Sequence, residues 1–244
     1  MTSFVLVHGA WHGGWCWAQL ADHLRRMGHD VHAPTLTGLG ERRHLASPDI
    51  TPDTHVLDVT SLIEMNDLQD IVLVGHSYGG LIVTGVGSRM PDRLAALVYL
   101  DAVVPQVSGI SAMEQRNPER LAAFRAQLSS GGFMVEPDRF DAWSDDPQVQ
   151  AWLRTKCSPH PIRCLTEGVT LTGREAEVAR RHYILAARNR PSMFWHEYEQ
   201  VKDRDGWTTE TMPTMHDAMI ESPADLADRL QVVAASAARN SDSQ

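Results

Sequence analysis

Short apolar runs alternate with segments of helical character along the first hundred residues, and this alternation constrains the fold more than any other feature. The runs at 4–7 and 71–74 contain only apolar residues, as strands covered on both faces do. The segments near 17–27 and 80–89 that follow them have the pattern of helices. The alternation predicts an α/β fold with a mostly parallel, doubly wound sheet. Ligands bind such sheets beyond the carboxyl ends of the strands.

The alternation stops after the fourth predicted strand and resumes near residue 181. Further strands are expected at 31–36, 95–100, 182–187 and 207–212, and helices at 54–66, 193–202 and from Ser222 onward. The interrupting stretch contains helical fragments at 118–128 and 147–154 and no second set of strands. We therefore expect a core formed by 1–104 and 181–238. A helical cap at 105–180 is inserted before the penultimate strand, and 239–244 form a flexible tail.

Composition and charge indicate which partners and which cellular location to expect. A chain of 244 residues suits one medium domain, and 22 basic against 31 acidic residues give a net charge of −9. This acidic balance argues against a nucleic-acid or anionic-membrane partner. No secretory signal pattern or membrane-spanning stretch is visible, and the three cysteines are typical of a reduced, cytoplasmic protein. The sequence leaves the oligomeric state open.

The segment Gly75-His76-Ser77-Tyr78-Gly79 matches the G-x-S-x-G pattern. It directly follows a predicted buried strand and directly precedes a predicted helix, which is the context of a nucleophile elbow. The alternative is an ordinary glycine-rich turn with an incidental serine. The context favours Ser77 as a catalytic nucleophile.

A second glycine-rich loop, 8–15, follows the first strand. Acyl transfer requires two N–H groups aimed at the developing oxyanion, and the natural donors are the backbone amides of Ala10 and Tyr78. The alternative is a phosphate-binding loop, but neither G-x-G-x-x-G nor G-K-[ST] is present. We expect no organic cofactor.

His216 follows the last predicted strand, where a hydrolase places its general base. The acid is harder to assign, because the loop after the penultimate strand carries Asn189 instead of an aspartate. Asp101 directly follows the strand at 95–100 and is our candidate for the triad acid. The alternative for Asp101 is a buried structural aspartate.

The cap contains two further groups of residues that could bind a ligand. Cys157, His160 and Cys164 have a loose metal-ligand spacing but lack a C-x-x-C pair and a fourth ligand, so we expect no metal. Large apolar side chains are expected to form a substrate pocket with the first loop. The predicted lining residues are Trp11, Met113, Phe124, Phe133, Phe140, Trp143 and Trp152.

Five segments together resemble the small α/β-hydrolase family of plant methylesterases and hydroxynitrile lyases and their bacterial esterase relatives. They are 5–15, 35–42, 74–80, 98–105 and 216–219, and the resemblance covers nearly the whole chain. It implies an α/β-hydrolase fold and hydrolysis of carboxylic esters. For bacterial relatives it also implies methyl carbamates, as in hydrolases of the carbendazim-esterase type. The chain departs from the family at Asn189, where an aspartate is usual, and at Asp217, where the lyases have a lysine.

We therefore predict a serine esterase without cofactor that acts on a small ester or carbamate. Ser77 attacks the carbonyl carbon, His216 takes the serine proton, and the Ala10 and Tyr78 amides bind the oxyanion. The alternatives are a non-catalytic ligand-binding protein on the same fold and a hydroxynitrile lyase-like enzyme.

Overall fold

A six-stranded sheet forms the centre of the computed structural model, which describes residues 1–111, 113–114 and 117–241, with only the backbone of 238–241. The strands are β1 (Ser3–Val7), β2 (Asp30–His32), β3 (Ile71–His76), β4 (Leu94–Leu100), β7 (Arg181–Ala186) and β8 (Trp207–Met212). Their order in the sheet is β2-β1-β3-β4-β7-β8, and all neighbouring strands are parallel. β2 is shorter than the predicted 31–36, because Pro34 has no N–H to donate to a neighbouring strand.

Helices cover both faces of the sheet. Those of the core are α1 (Ala18–Arg26), α2 (Pro52–Met65), α3 (Gly79–Arg89), α8 (Phe194–Val201), α9 (Ala218–Glu221) and α10 (Pro223–Ser241). Short 3₁₀ helices occur at Gly14–Trp17, Gly40–Leu45, Pro91–Arg93 and Arg174–Glu177. α2 has a capped start, since the Thr51 side chain accepts the Thr54 N–H and Pro52 occupies the first turn.

The segment between β4 and β7 contains helices α4 (Pro118–Ser129), α5 (Phe140–Trp143), α6 (Pro147–Lys156) and α7 (Arg163–Thr166). It also contains two short strands, β5 (Met134–Val135) and β6 (His160–Pro161), which pair antiparallel. The sequence does not predict this short pair. Strands of two residues are too short to produce an alternating pattern that a sequence can reveal.

The apolar run of β3 contributes to two separate hydrophobic clusters. Ile71 and Leu73 belong to one cluster, and Val72 and Val74 to the other. Successive side chains of a strand point to opposite faces, so the two clusters lie on opposite sides of the sheet. A strand buried on both faces needs apolar residues at every position, which explains the uninterrupted run.

The strand order changes direction at β1, which lies between β2 and β3. At this switch point the carboxyl ends of β1 and β3 bring the glycine-rich loop 8–15 beside the turn that carries Ser77. Asp101 follows β4 directly, and His216 follows β8. The fold thus gathers four segments, distant in sequence, at one edge of the sheet.

α10 continues to Ser241. The predicted flexible tail, 239–244, therefore overlaps this helix at 239–241, and 242–244 lie outside the described residues. Within the part of the chain that is described, no helix is both long and apolar enough to cross a bilayer.

Candidate active site

Ser77 occupies a strained turn between β3 and α3. Its φ is +54°, in the left-handed region that non-glycine residues rarely adopt. A Cβ atom at Gly79 would lie 2.6 Å from the Val7 carbonyl oxygen, so only glycine permits this close approach. The Ser77 carbonyl accepts hydrogen bonds from the N–H groups of Gly80 and Val103, at 3.1 and 3.0 Å. These contacts hold the turn in place at the cavity that Ser77 lines.

The two predicted oxyanion donors line the same cavity. Neither the Ala10 N–H nor the Tyr78 N–H donates a hydrogen bond to any residue that the structure describes. Trp11, next to Ala10, has a φ of +65°. Its N–H donates to Nδ1 of His160 at 3.2 Å, and its carbonyl accepts the Ser158 N–H at 3.0 Å. The cap segment thus holds the backbone of this loop.

His216 and Asp101 form a short hydrogen bond at the bottom of the site. Nδ1 of His216 donates to Oδ2 of Asp101 at 2.6 Å, and Asp101 is fully buried. The Ala186 N–H donates to the other carboxylate oxygen at 3.2 Å. Asp101 has a φ of +41°, which aspartate tolerates better than most residues. The contact fixes the His216 tautomer with its proton on Nδ1 and leaves Nε2 as the basic nitrogen.

Asn189 lies beside Asp101 rather than in its place. The Nδ2 of Asn189 donates to the same Oδ2 atom at 2.9 Å, and the residue is buried. The carboxylate thus receives hydrogen bonds from the protein on both oxygens.

Aromatic rings hold His216 from two sides. The Phe194 ring is stacked on it at 4.8 Å between centroids, and the His76 ring lies at 4.4 Å. Nε2 of His76 donates to the His216 carbonyl at 3.1 Å. Burial, together with the nearby His216, lowers the pKa of His76 well below its ordinary value.

No hydrogen bond joins Ser77 to His216 among the described residues. Such bonds often tighten only when a substrate is bound.

The cavity at this edge has a volume of about 310 Å³. Of the predicted lining residues, Trp11, Met113 and Trp143 lie on it. The sequence did not indicate that Phe194 and Met193 also line it. They follow Asn189 in the loop before α8 and at its start, and no sequence pattern links that loop to the cap.

Phe124, Phe133, Phe140 and Trp152 do not line this cavity, and the expectation for them is wrong. Phe124 is buried in the main core, and Phe140 packs edge-on beneath Trp143, with ring centroids 4.9 Å apart. Trp152 is 39% exposed. Their places in the cavity wall are taken in part by polar cap residues that the sequence did not single out, namely Asn117, Arg120, Arg139 and Glu167.

Among the described residues, one group of side chains has the types that bind metal ions. His76, His216 and Asp217 have ligand atoms within 4.8 Å of one another. Their geometry serves hydrogen bonding, because Nε2 of His76 is a donor to a carbonyl and Nδ1 of His216 a donor to Asp101. In the described part of the chain, Cys157, His160 and Cys164 form no such group.

Comparison with known proteins gives the family. The chain matches the model of the alpha/beta hydrolase family over residues 4–229. It is 38% identical over 239 residues to the carbendazim hydrolyzing esterase of Nocardioides sp. (strain SG-4G), which covers 94% of this chain and 98% of that one. It is 37% identical over 105 residues to Methylesterase 1 of Arabidopsis thaliana, 42% of this chain and 40% of the relative.

Solved structures agree on the fold. An extracellular alpha/beta-hydrolase from a Paenibacillus species is similar with a TM-score of 0.78 at 24% identity, over 93% of this chain and 97% of that one. Tomato Methylketone Synthase I is similar with a TM-score of 0.75 at 22% identity, over 97% and 98%. The fold and the resemblance predicted from the sequence are thus confirmed. The chain belongs to the alpha/beta hydrolase family and is an esterase-type hydrolase.

Proposed function

We propose that the chain hydrolyses small carboxylic esters or methyl carbamates through an acyl-enzyme formed on Ser77. The observation that carries this proposal is the 2.6 Å hydrogen bond between His216 and the buried Asp101. It lies at the edge of a cavity that is lined by both Ser77 and His216. A serine on a strained turn, a histidine of fixed tautomer and a buried carboxylate are the components of a catalytic triad.

In this mechanism, Nε2 of His216 takes the proton of the Ser77 hydroxyl as its oxygen attacks the substrate carbonyl carbon. The Ala10 and Tyr78 amides bind the oxyanion that forms, and their lack of other hydrogen-bond partners among the described residues supports this role. The protonated His216 then gives its proton to the leaving alcohol, which is methanol for a methyl ester or methyl carbamate. Water releases the acyl or carbamoyl group by the reverse sequence.

Asp101 acts as the acid in this proposal. Its carboxylate stabilises the imidazolium that forms on His216. Asn189, at the usual position of the acid, has a supporting role, because its amide donates to the carboxylate at 2.9 Å. A ligand-binding protein on the same fold needs no triad acid, and this geometry favours an enzyme instead.

The cavity and the relatives indicate the substrate class. A volume of about 310 Å³ is at the lower end for ligand pockets, so a small ester fits better than a lipid. The names of the relatives include a carbendazim hydrolyzing esterase and a methylesterase. A lyase-like reaction is disfavoured, since the residue after His216 is Asp217 and not the lysine that balances the cyanide anion in the lyases that the chain resembles. A cytoplasmic location stays a prediction from cysteine content.

A hydrolysis panel tests the proposal. It compares esters of increasing acyl length, aromatic methyl esters and methyl carbamates, with wild type, Ser77→Ala and, as a matched control, the exposed Ser61→Ala. We expect one substrate group to be hydrolysed by wild type and Ser61→Ala and not by Ser77→Ala. Hydrolysis that survives in Ser77→Ala contradicts the nucleophile assignment, and wild type without any activity supports a binding protein.

A further inference from the structure

His12 is buried in the loop after β1, and both of its ring nitrogens face hydrogen-bond acceptors. Nδ1 lies 2.8 Å from the Ala10 carbonyl oxygen, and Nε2 lies 3.1 Å from Oδ2 of Asp217. A carbonyl oxygen and an ionised carboxylate can accept hydrogen bonds but cannot donate them. This geometry favours a proton on each ring nitrogen, that is, an imidazolium ion at His12 paired with the Asp217 carboxylate.

The histidines around His12 are held in the neutral form. Nε2 of His8 accepts the Leu36 N–H at 3.0 Å, and Nδ1 of His160 accepts a backbone N–H, so neither nitrogen is protonated. Burial lowers the pKa of His8 to about 3, and it lowers those of His76 and His160 well below their ordinary values. The positive charge in this cluster thus resides on His12.

The surroundings of the pair favour this charge distribution. Burial opposes the charged form of His12, but the charge and hydrogen bond of Asp217 outweigh it and raise the pKa of His12. The indole of Trp15 is stacked on the His12 ring at 5.3 Å, and the face of an indole attracts a cation. Asp217 is 1% exposed, and within the described residues its carboxylate accepts a hydrogen bond only from His12. Without this partner, the buried carboxylate would strongly destabilise the folded protein.

The pair connects two loops whose relative position matters for the proposed reaction. His12 binds the carbonyl of Ala10, whose N–H is a proposed oxyanion donor, and Asp217 directly follows His216. His12 and Asp217 are 205 positions apart in sequence. We propose that the His12–Asp217 ion pair is a positioning device, which holds the oxyanion loop against the loop of the catalytic histidine. This inference rests on the esterase function proposed above.

The charge state is tested first, without any substrate. Nitrogen-15 NMR of the histidine-labelled protein at about pH 8 distinguishes an imidazolium from a neutral ring, and His12→Gln assigns the resonance. An ordinary histidine, with a pKa of about 6.5, is neutral at this pH. We expect both nitrogens of His12 to be protonated in wild type and one to lose its proton in Asp217→Asn. A neutral His12 in wild type would overturn the inference.

The positioning role is tested by kinetics. For Asp217→Asn we expect kcat on a methyl ester to fall about 10- to 100-fold, less than complete loss of an oxyanion donor, while KM changes little. Affinity for a boronic acid, whose tetrahedral adduct uses the same donors, should fall in parallel, because only transition-state contacts are lost. The matched control is Asp30→Asn, since Asp30 forms an exposed pair with His32 at 2.9 Å. It should leave both quantities unchanged.

The outcomes separate this inference from the proposed function. Folded Asp217→Asn with wild-type kcat and boronate affinity would overturn the positioning role while wild-type hydrolysis still supports the esterase. A wild type that hydrolyses no ester contradicts the proposed function, whereas the NMR result still decides the charge on His12. If Asp217→Asn does not fold, His12→Gln replaces it in the same kinetic comparison, because it removes the charge at the other end of the pair.

Discussion

Replacing Asp101 by asparagine changes the charge behind His216 with little change in shape. Asparagine tolerates the left-handed backbone conformation nearly as well as aspartate does, so the φ of +41° at this position is compatible with the variant. The variant should therefore fold, and the change in rate should report on the chemistry of the site.

The hydrogen bonds of Asp101 determine how far kcat should fall in the variant. Its carboxylate accepts from His216, Asn189 and the Ala186 N–H, at 2.6, 2.9 and 3.2 Å. An amide has a single oxygen, so in either orientation its NH₂ group faces at least one of these donors. If the NH₂ group faces His216, the imidazole proton moves to Nε2, the nitrogen that must act as base. In the serine-protease case this loss costs roughly 10⁴ in kcat, which is about 5 kcal/mol of barrier.

The assay is the initial rate of methyl ester hydrolysis, with kcat and KM determined separately and thermal unfolding as a check on folding. We expect Asp101→Asn to lose three to four decades of kcat, by the same reasoning. Adding Asn189→Asp should restore part of it, because it returns a carboxylate to within reach of His216. The control is Asp228→Asn, an exposed position on α10. Turnover of Asp101→Asn within about threefold of wild type would refute the assignment of the acid.

Three further expectations concern the triad, acid stability and metals. Ser77→Ala and His216→Ala should each remove on the order of 10⁶ in kcat, and the double variant should be hardly slower, since the residues act as a unit; additive losses would contradict this. The free energy of unfolding should fall as pH decreases below about 6.5. Burial lowers the pKa of His8 to about 3 and that of His55 to about 4, so only the unfolded state binds these protons. By about pH 5 each histidine should cost about 2 kcal/mol, and urea denaturation that gives equal stability at pH 7 and pH 5 would contradict this. EDTA should leave ester hydrolysis unchanged, whereas inactivation reversed by zinc would point back to Cys157, His160 and Cys164.

The sequence predicted the parts of the site that depend on local order. Ser77 follows an uninterrupted apolar strand and precedes a helix, and the G-x-S-x-G motif at 75–79 spans the whole turn. Asp101 comes directly after a strand and His216 lies in the loop after another. Parallel strands bring their carboxyl ends to one edge. For this reason a parallel-sheet interpretation was enough to predict their proximity, without any contact information.

Contacts between loops that are distant in the chain could not be predicted from the sequence. The pairing of His12 with Asp217 depends on how the loops after β1 and β8 pack, and neither residue has a motif that names the other. The prediction of the residues that line the cavity failed for the same reason. Phe124 and Trp152 lie in short cap helices whose orientation is set by tertiary packing, so their apolar character did not reveal which surface they face.

The most direct test of the central claim, an acyl-enzyme on Ser77, is covalent labelling with a fluorophosphonate probe followed by intact-mass and peptide analysis. Only a serine activated by its neighbours reacts rapidly with such a probe. We expect one adduct per chain, located on Ser77, and greatly slowed labelling in His216→Ala. An unlabelled wild-type chain, or an adduct on another residue, would contradict it.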